Sequence, residues 1–169
     1  IARELIPEIR PTFSIQGELT RKAAEELGLK AGVKVAYRAG DQPNNALSLN
    51  VLNPGEIAAT AGTSGVVYGV ADQASYDAES RVNTFVHVTH DPKEPRYGVL
   101  LCINGTGILY RWLRNNIMKI GQAVMNYNQM NELASQAPPG SDGLLILPYG
   151  NGAERTLGNR DIGCIIHGL

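Results

Sequence analysis

The stretch Glu56-Ile57-Ala58-Ala59-Thr60-Ala61-Gly62-Thr63-Ser64-Gly65-Val66-Val67-Tyr68-Gly69-Val70 decides how this chain folds. Glu56 to Ala61 reads as a strand, Gly62 to Gly65 as a four-residue turn, and Val66 to Val70 as the returning strand. The two glycines flank Thr63 and Ser64, so a pair of hydroxyls sits at the hairpin tip beside amides that no bulky side chain obstructs. Such a tip can cradle a phosphate as a backbone nest, or it can be a plain turn. No Gly-Lys-Ser/Thr loop of the Walker type accompanies it.

Upstream, Thr20 followed by Arg21 to Leu27 and then Gly28 predicts an N-cap, a short helix with Ala23, Ala24 and Leu27 inward, and a glycine stop. Val33 to Ala39 alternates with period two and predicts a strand ending at Gly40-Asp41. Pro43, suited to a first helical position, opens a helix over Asn44 to Asn53, which Pro54-Gly55 closes. This strand-turn-helix unit leads into the hairpin and makes the helix a candidate hinge.

Downstream, Asn83 to Val88 and Tyr97 to Ile103 predict a second hairpin across a polar loop with Asp91-Pro92 and Glu94-Pro95. Asn104-Gly105-Thr106-Gly107 precedes a helix whose Ile108, Leu109, Trp112, Leu113 and Ile117 fall at helical spacing. A further helix is expected near Asn128 to Ala137, stopped by Pro138-Pro139-Gly140. Two last strands are expected at Gly143 to Tyr149 and Gly163 to His167.

The 169 residues carry 15 Lys and Arg against 16 Asp and Glu, a net charge of -1. That balance lacks the basic footprint of a nucleic-acid or anionic-membrane binder. No apolar run approaches the roughly 20 residues of a membrane-spanning helix. Glycine supplies 19 residues, above the ordinary share of about 7%, which suggests many tight turns or backbone close to a ligand. Cys102 and Cys164 lie among apolar residues and are expected as small buried thiols of a reducing compartment, which points to the cytoplasm.

Asp41 is the first candidate for chemistry. A carboxylate at a strand end, just before a helix N-terminus, is held ionised by the helix dipole and the free amides there. It suits a general base or a metal-facing acid, and equally a capping aspartate. Asn44 and Asn45 share the first turn and can hydrogen-bond a polar ligand. Gly105-Thr106-Gly107 before a helix offers a second phosphate or ribose contact, or an ordinary turn. His87, His90 and His167 lack metal-ligand spacing and read as surface or core residues. Ser64 has no nucleophile-elbow turn around it. Tyr110 and Trp112 read as packing residues, and Glu154-Arg155 as an ion pair or loop anchor.

Taken in order, these motifs resemble the middle of an FGGY-family carbohydrate kinase, the xylulokinase branch above all. The motifs are Gly40-Asp41-Gln42, Ala61-Gly62-Thr63-Ser64-Gly65-Val66, Gly105-Thr106-Gly107 with Arg111-Trp112-Leu113-Arg114, Leu147-Pro148-Tyr149, and Gly152-Ala153-Glu154-Arg155-Thr156. The resemblance implies an α/β fold of the actin and hexokinase-like ATPase (ribonuclease H-like) type. Residues 1–54 would be the tail of the sugar-binding lobe and residues 55–169 the first part of the ATP lobe. It implies transfer of the ATP γ-phosphate, with Mg2+, to a ketopentose hydroxyl, D-xylulose foremost, or to another polyol or sugar acid such as glycerol, ribulose or gluconate. A nucleotide- or sugar-sensing module of the same fold is the non-catalytic alternative.

By that resemblance Asp41 is the base, Asp41, Gln42 and Asn44 meet the sugar, and Gly62, Thr63, Ser64, Gly107 and Arg111 meet the nucleotide. The partners implied are the sugar and ATP, with no nucleic acid and no membrane, and a homodimer is an expectation for the full-length protein. The family's Asp-x-Gly-Thr phosphate hairpin and its later glycine-rich adenine loop are missing from the sequence. The chain also starts at Ile1 without Met and stops inside an expected strand, so an internal segment, inactive alone, is expected.

Overall fold

A computed structural model describes residues 3–121 and 123–168. Two short strands, β1 (Gly17–Glu18) and β2 (Lys34–Val35), pair antiparallel around helix α1 (Arg21–Leu27). The Thr20 hydroxyl accepts the Ala23 amide, and Gly28 ends α1 at φ 66°, the left-handed value that favours glycine at a helix stop. Ala24 is buried and Ala23 half-buried, but Leu27 is 63% exposed, contrary to the expected inward face.

The strand expected over Val33 to Ala39 shrinks to β2, because β1 offers only two residues to pair with. Asp41 therefore does not sit at a strand end. It is the first residue of helix α2 (Asp41–Ser48), behind Gly40 as N-cap. Pro43 falls in the first turn rather than at the first position, where its missing N–H leaves no intrahelical bond unmade. Leu49 caps the helix and Asn50 takes φ 58°, so α2 stops well before Asn53.

Strands β3 (Ile57–Ala61), β4 (Gly65–Ala71), β5 (Asn83–Val86) and β6 (Tyr97–Ile103) form one antiparallel sheet in the order β3-β4-β6-β5. Both expected hairpins are present, with Gly65 in the strand and only residues 62–64 in the turn. Ala58, Tyr68 and Leu100 lie side by side across β3, β4 and β6. Together with Val70 and Ala46 of α2 they make the core. Small residues on α2 and β3 leave room for the Tyr68 ring, and so the helix that carries Asp41 is seated directly on the sheet.

Gly98 completes that arrangement: a Cβ there would overlap the Tyr68 hydroxyl and ring. The hydroxyl continues to the buried His87, sharing a 3.0 Å hydrogen bond with its Nδ1. Burial pushes the Tyr68 phenol up to about 12 and pushes the His87 imidazole below its ordinary value. The link from α2 to β3 is pinned by Glu56, whose carboxylate accepts the Asn53 and Leu52 amides. Those amide bonds, with the Asn53 side chain, hold the Glu56 carboxyl below the usual carboxylate range.

Helix α3 (Thr106–Asn116) follows β6, then the two-residue strands β7 (Lys119–Ile120) and β8 (Ala123–Val124), and helix α4 (Tyr127–Ala134) with an Asn126–Gln129 capping box. Trp112 and Ile117, expected inward, are half-exposed, whereas Ile108, Leu109 and Leu113 are half-buried. The chain ends with β9 (Leu145–Leu147), β10 (Ala153–Glu154), β11 (Arg160–Asp161) and β12 (Ile165–His167). The last pairs antiparallel with β9, and β10 with β11. Cys102 is half-buried, but Cys164, outside both strands, is exposed and not the buried thiol expected.

Candidate functional site

The hairpin tip, the start of α3 and the loop after β9 meet at one junction. The Gly107 amide donates to the Gly62 carbonyl and the Ile108 amide to the Thr63 carbonyl, each at 3.1 Å. Gly105 has no room for a Cβ against the Pro148 carbonyl, and Gly107 none against that of Gly62. A Cβ on Gly65 would come within 2.6 Å of Thr106 Cγ2. Gly105 and Gly107 thus let three separate backbone segments touch, and Gly65 makes room for the Thr106 side chain.

This packing changes which groups can meet a ligand. The Gly62 amide donates to the Ser64 carbonyl at 3.1 Å, so it is not free to meet a phosphate as expected. The Gly107 and Ile108 amides of α3 are likewise consumed by the hairpin rather than open to an anion. Among the described residues, the Thr63 and Ser64 amides donate to no acceptor. A cavity of about 380 Å³ opens beside the tip, lined by Gly62, Thr63, Gly107, Ile108, Tyr110 and Arg111, with Ala61 and Tyr127. Four of the five expected nucleotide residues therefore share one cavity, and Ser64 is outside its lining.

Asp41, Gln42 and Asn44 occupy the first turn of α2, with Asp41 and Asn44 exposed and Gln42 half-buried. The Asp41 carboxylate accepts the Gln42 amide at 2.7 Å, and the Asn44 side chain accepts the Tyr37 hydroxyl at 2.7 Å. Gly40 and Pro43 line a second cavity of about 410 Å³ that also takes in Arg10 and Arg38. Among the described residues no three His, Cys, Asp or Glu side chains gather into a metal site. No described helix is long and apolar enough to cross a membrane.

No family model matches the chain. Gluconokinase of Bacillus subtilis is 28% identical over all of it, and xylulose kinase of Staphylococcus epidermidis is 28% identical over 90% of it. The xylulose kinase of Rhodospirillum rubrum superposes on the whole chain with a TM-score of 0.77 at 28% identity. The chain is a relative of the FGGY carbohydrate kinases. A ligand-bound xylulose kinase from Lactobacillus acidophilus superposes with a TM-score of 0.81 at 21% identity, which speaks for the fold alone. The α/β fold is that of the actin and hexokinase-like FGGY sugar kinases. The chain spans about a third of these relatives' length: 33% of the gluconokinase and 32% of the Rhodospirillum structure.

Against this FGGY background, one wall of the cavity escaped the sequence reading, whereas Glu154 is the loop anchor rather than the ion pair of the two expected alternatives, and His87 is one of the core residues expected. Tyr127 stacks on Tyr110 at 5.5 Å and carries the Arg114 guanidinium 5.0 Å from its ring centre, which builds one wall of the cavity. Tyr110 alone had read as packing. Glu154 is not ion-paired with Arg155: it is 1% exposed and its Oε2 accepts the Asn104 amide at 3.1 Å, while Arg155 reaches the Asn83 side chain. His87 is a core residue, and its Nε2 has no partner among the described residues.

Proposed function

We propose that this chain supplies the middle of an ATP-dependent sugar kinase, residues 1–54 ending the sugar lobe and residues 55–169 beginning the ATP lobe. The observation that carries this reading is the convergence of Gly62, Thr63, Gly107 and Arg111 on one cavity. Thr63, through its hydroxyl and its amide, and Ser64, through its amide, meet the ATP phosphates. Gly107 and Arg111 lie on the ribose and adenine side. Gln42 and Asn44 orient the sugar by hydrogen bonds.

The acceptor in this reading is D-xylulose. Asp41 takes the proton of the 5-hydroxyl as that oxygen bonds to the γ-phosphorus and the bond to the β,γ-bridging oxygen breaks, giving xylulose 5-phosphate and ADP. The proton then passes from Asp41 to solvent. Catalysis of this kind is positioning and electrostatics, with little covalent work by the protein. Mg2+ would arrive bound to the ATP phosphates and would neutralise part of their charge. The cytoplasm, where ATP and free thiols coexist, is the compartment this reading requires.

A sugar acid is the second reading, favoured by one observation: Arg10 and Arg38 line the cavity beside Gly40, next to the proposed base. A guanidinium suits a carboxylate better than it suits a neutral pentose, although that of Arg10 already pairs with Glu8 at 2.7 Å, which leaves Arg38 as the carboxylate partner in this reading. A coupled ADP-release assay on the complete gene product with D-xylulose, D-gluconate, D-ribulose and glycerol tests both. The highest kcat/KM is expected for D-xylulose; a preference for gluconate installs the second reading, and no turnover with any sugar removes both. The 169-residue chain alone is expected to be inactive.

A further inference from the structure

We propose that Glu154 is a positioning residue for the phosphate-facing hairpin tip, acting through the start of α3. The inference rests on the nucleotide reading of the cavity beside Thr63. Glu154 Oε2 accepts the Asn104 amide at 3.1 Å, the Asn104 side chain donates to the Ala153 carbonyl, and the Asn151 side chain donates to the Asn104 carbonyl, both at 3.0 Å. Asn104 is thus gripped on its amide, its carbonyl and its side chain by residues 151–154. Two residues further on, α3 begins, and its Gly107 and Ile108 amides hold the Gly62 and Thr63 carbonyls. A continuous path of hydrogen bonds and backbone leads from a buried carboxylate to Thr63.

The carboxylate is an expensive way to hold a turn. Glu154 is 1% exposed, and its Oε1 has no partner among the described residues. A buried carboxyl with one oxygen unmet destabilises a fold relative to a well-packed apolar residue. What it supplies is an acceptor with a fixed direction, which an apolar side chain cannot give. The Thr106 and Thr156 hydroxyls, on the two segments that meet here, are also buried without partners among the described residues. The junction is therefore tuned for geometry at the expense of polar satisfaction.

The test is steady-state kinetics of the complete protein with ATP and its sugar varied separately, alongside thermal melts. Glu154→Leu removes the acceptor and is expected to raise KM for ATP by about tenfold or more, the effect of losing one buried hydrogen-bond partner, while KM for the sugar stays unchanged. Glu154→Gln keeps an acceptor at the same place and is expected to rescue KM for ATP. A folded Glu154→Leu protein with normal KM for ATP, or with both KM values raised alike, overturns the inference. Where Glu154→Leu does not fold, the exposed Asn151→Ala variant serves: a selective rise in KM for ATP supports the inference and an unchanged value overturns it. A parent protein that does not bind ATP overturns the nucleotide reading itself, whereas normal parent kinetics with indifferent variants overturns only the role of Glu154.

Discussion

The Gly107 amide donates to the Gly62 carbonyl at 3.1 Å across 45 residues of sequence, and the same carbonyl oxygen occupies the space a Cβ on Gly107 would need. Gly107→Ala therefore sets two effects against each other. Alanine gains about 1 kcal/mol of helix propensity over glycine, but overpacking against a backbone carbonyl costs about 1–3 kcal/mol or more and pushes the hairpin tip off α3. The clash is expected to win. Chemical denaturation should show a lower midpoint for Gly107→Ala, and nucleotide binding by calorimetry should weaken. Gly17→Ala is the control, because a Cβ there meets nothing within 4 Å; equal losses in the two variants would contradict the close-approach account.

Gly98→Ala tests the core rather than the site. Its Cβ would overlap the Tyr68 hydroxyl, which is held on its far side by His87. The ring cannot retreat without leaving the Ala58–Tyr68–Leu100 row, so destabilisation of about 2–3 kcal/mol is expected in urea unfolding. Combining Gly98→Ala with Tyr68→Leu, which removes both the hydroxyl and the ring atoms that the Cβ would meet, should recover part of the loss. Strict additivity of the two changes would show that they do not interact.

The elements legible in the sequence are those with complete local signals. Thr20 and Gly28 bracket α1, the Gly-Thr-Ser-Gly turn closes β3 on β4, and the apolar run of β6 carries its own length. What local patterning could not supply is what covers a face. Leu27, Trp112 and Ile117 stand at inward-looking positions yet remain half or more exposed. The alternation at Val33 to Ala39 had no long partner strand, so only two residues pair, and Asp41 moved from a strand end to a helix start. The cavity beside Thr63 depends on contacts between residues about 45 positions apart, Gly107 with Gly62 and Ile108 with Thr63. Each glycine motif was visible alone, while their meeting with Pro148 and Glu154 required the folded chain.

Stability should depend on pH through the Tyr68–His87 pair. The folded His87 pKa lies below its ordinary value of about 6.5. As pH falls below that value the unfolded chain takes up a proton that the folded chain refuses, so this contribution is full above pH ~6.5 and declines below it. Tyr68 works in the opposite direction: its phenol is raised to about 12, so stability is full below the unfolded value of about 10 and falls as pH rises towards 12. Urea midpoints across the pH range should show the acid slope reduced in His87→Gln and the alkaline slope reduced in Tyr68→Phe. Unchanged slopes in these variants would assign the pH dependence to other groups.

Asp41→Asn separates chemistry from structure. Asn keeps a side-chain oxygen that can accept the Gln42 amide, as Asp41 does at 2.7 Å, so α2 should start at the same residue. The lost charge at the helix N-terminus changes stability by no more than about 1 kcal/mol. The proton acceptor, by contrast, is gone, and loss of a general base lowers turnover by about 10²–10⁴-fold. In the complete protein, kcat for sugar phosphorylation is expected to fall by that amount while the ATP dissociation constant stays the same, because Asp41 is not among the residues lining the cavity beside Thr63. A drop in kcat with a matching loss of ATP affinity would move Asp41 from the base role to nucleotide binding. Normal kcat would remove it from the reaction and leave it as a helix-start residue seated, through Ala46, on the sheet.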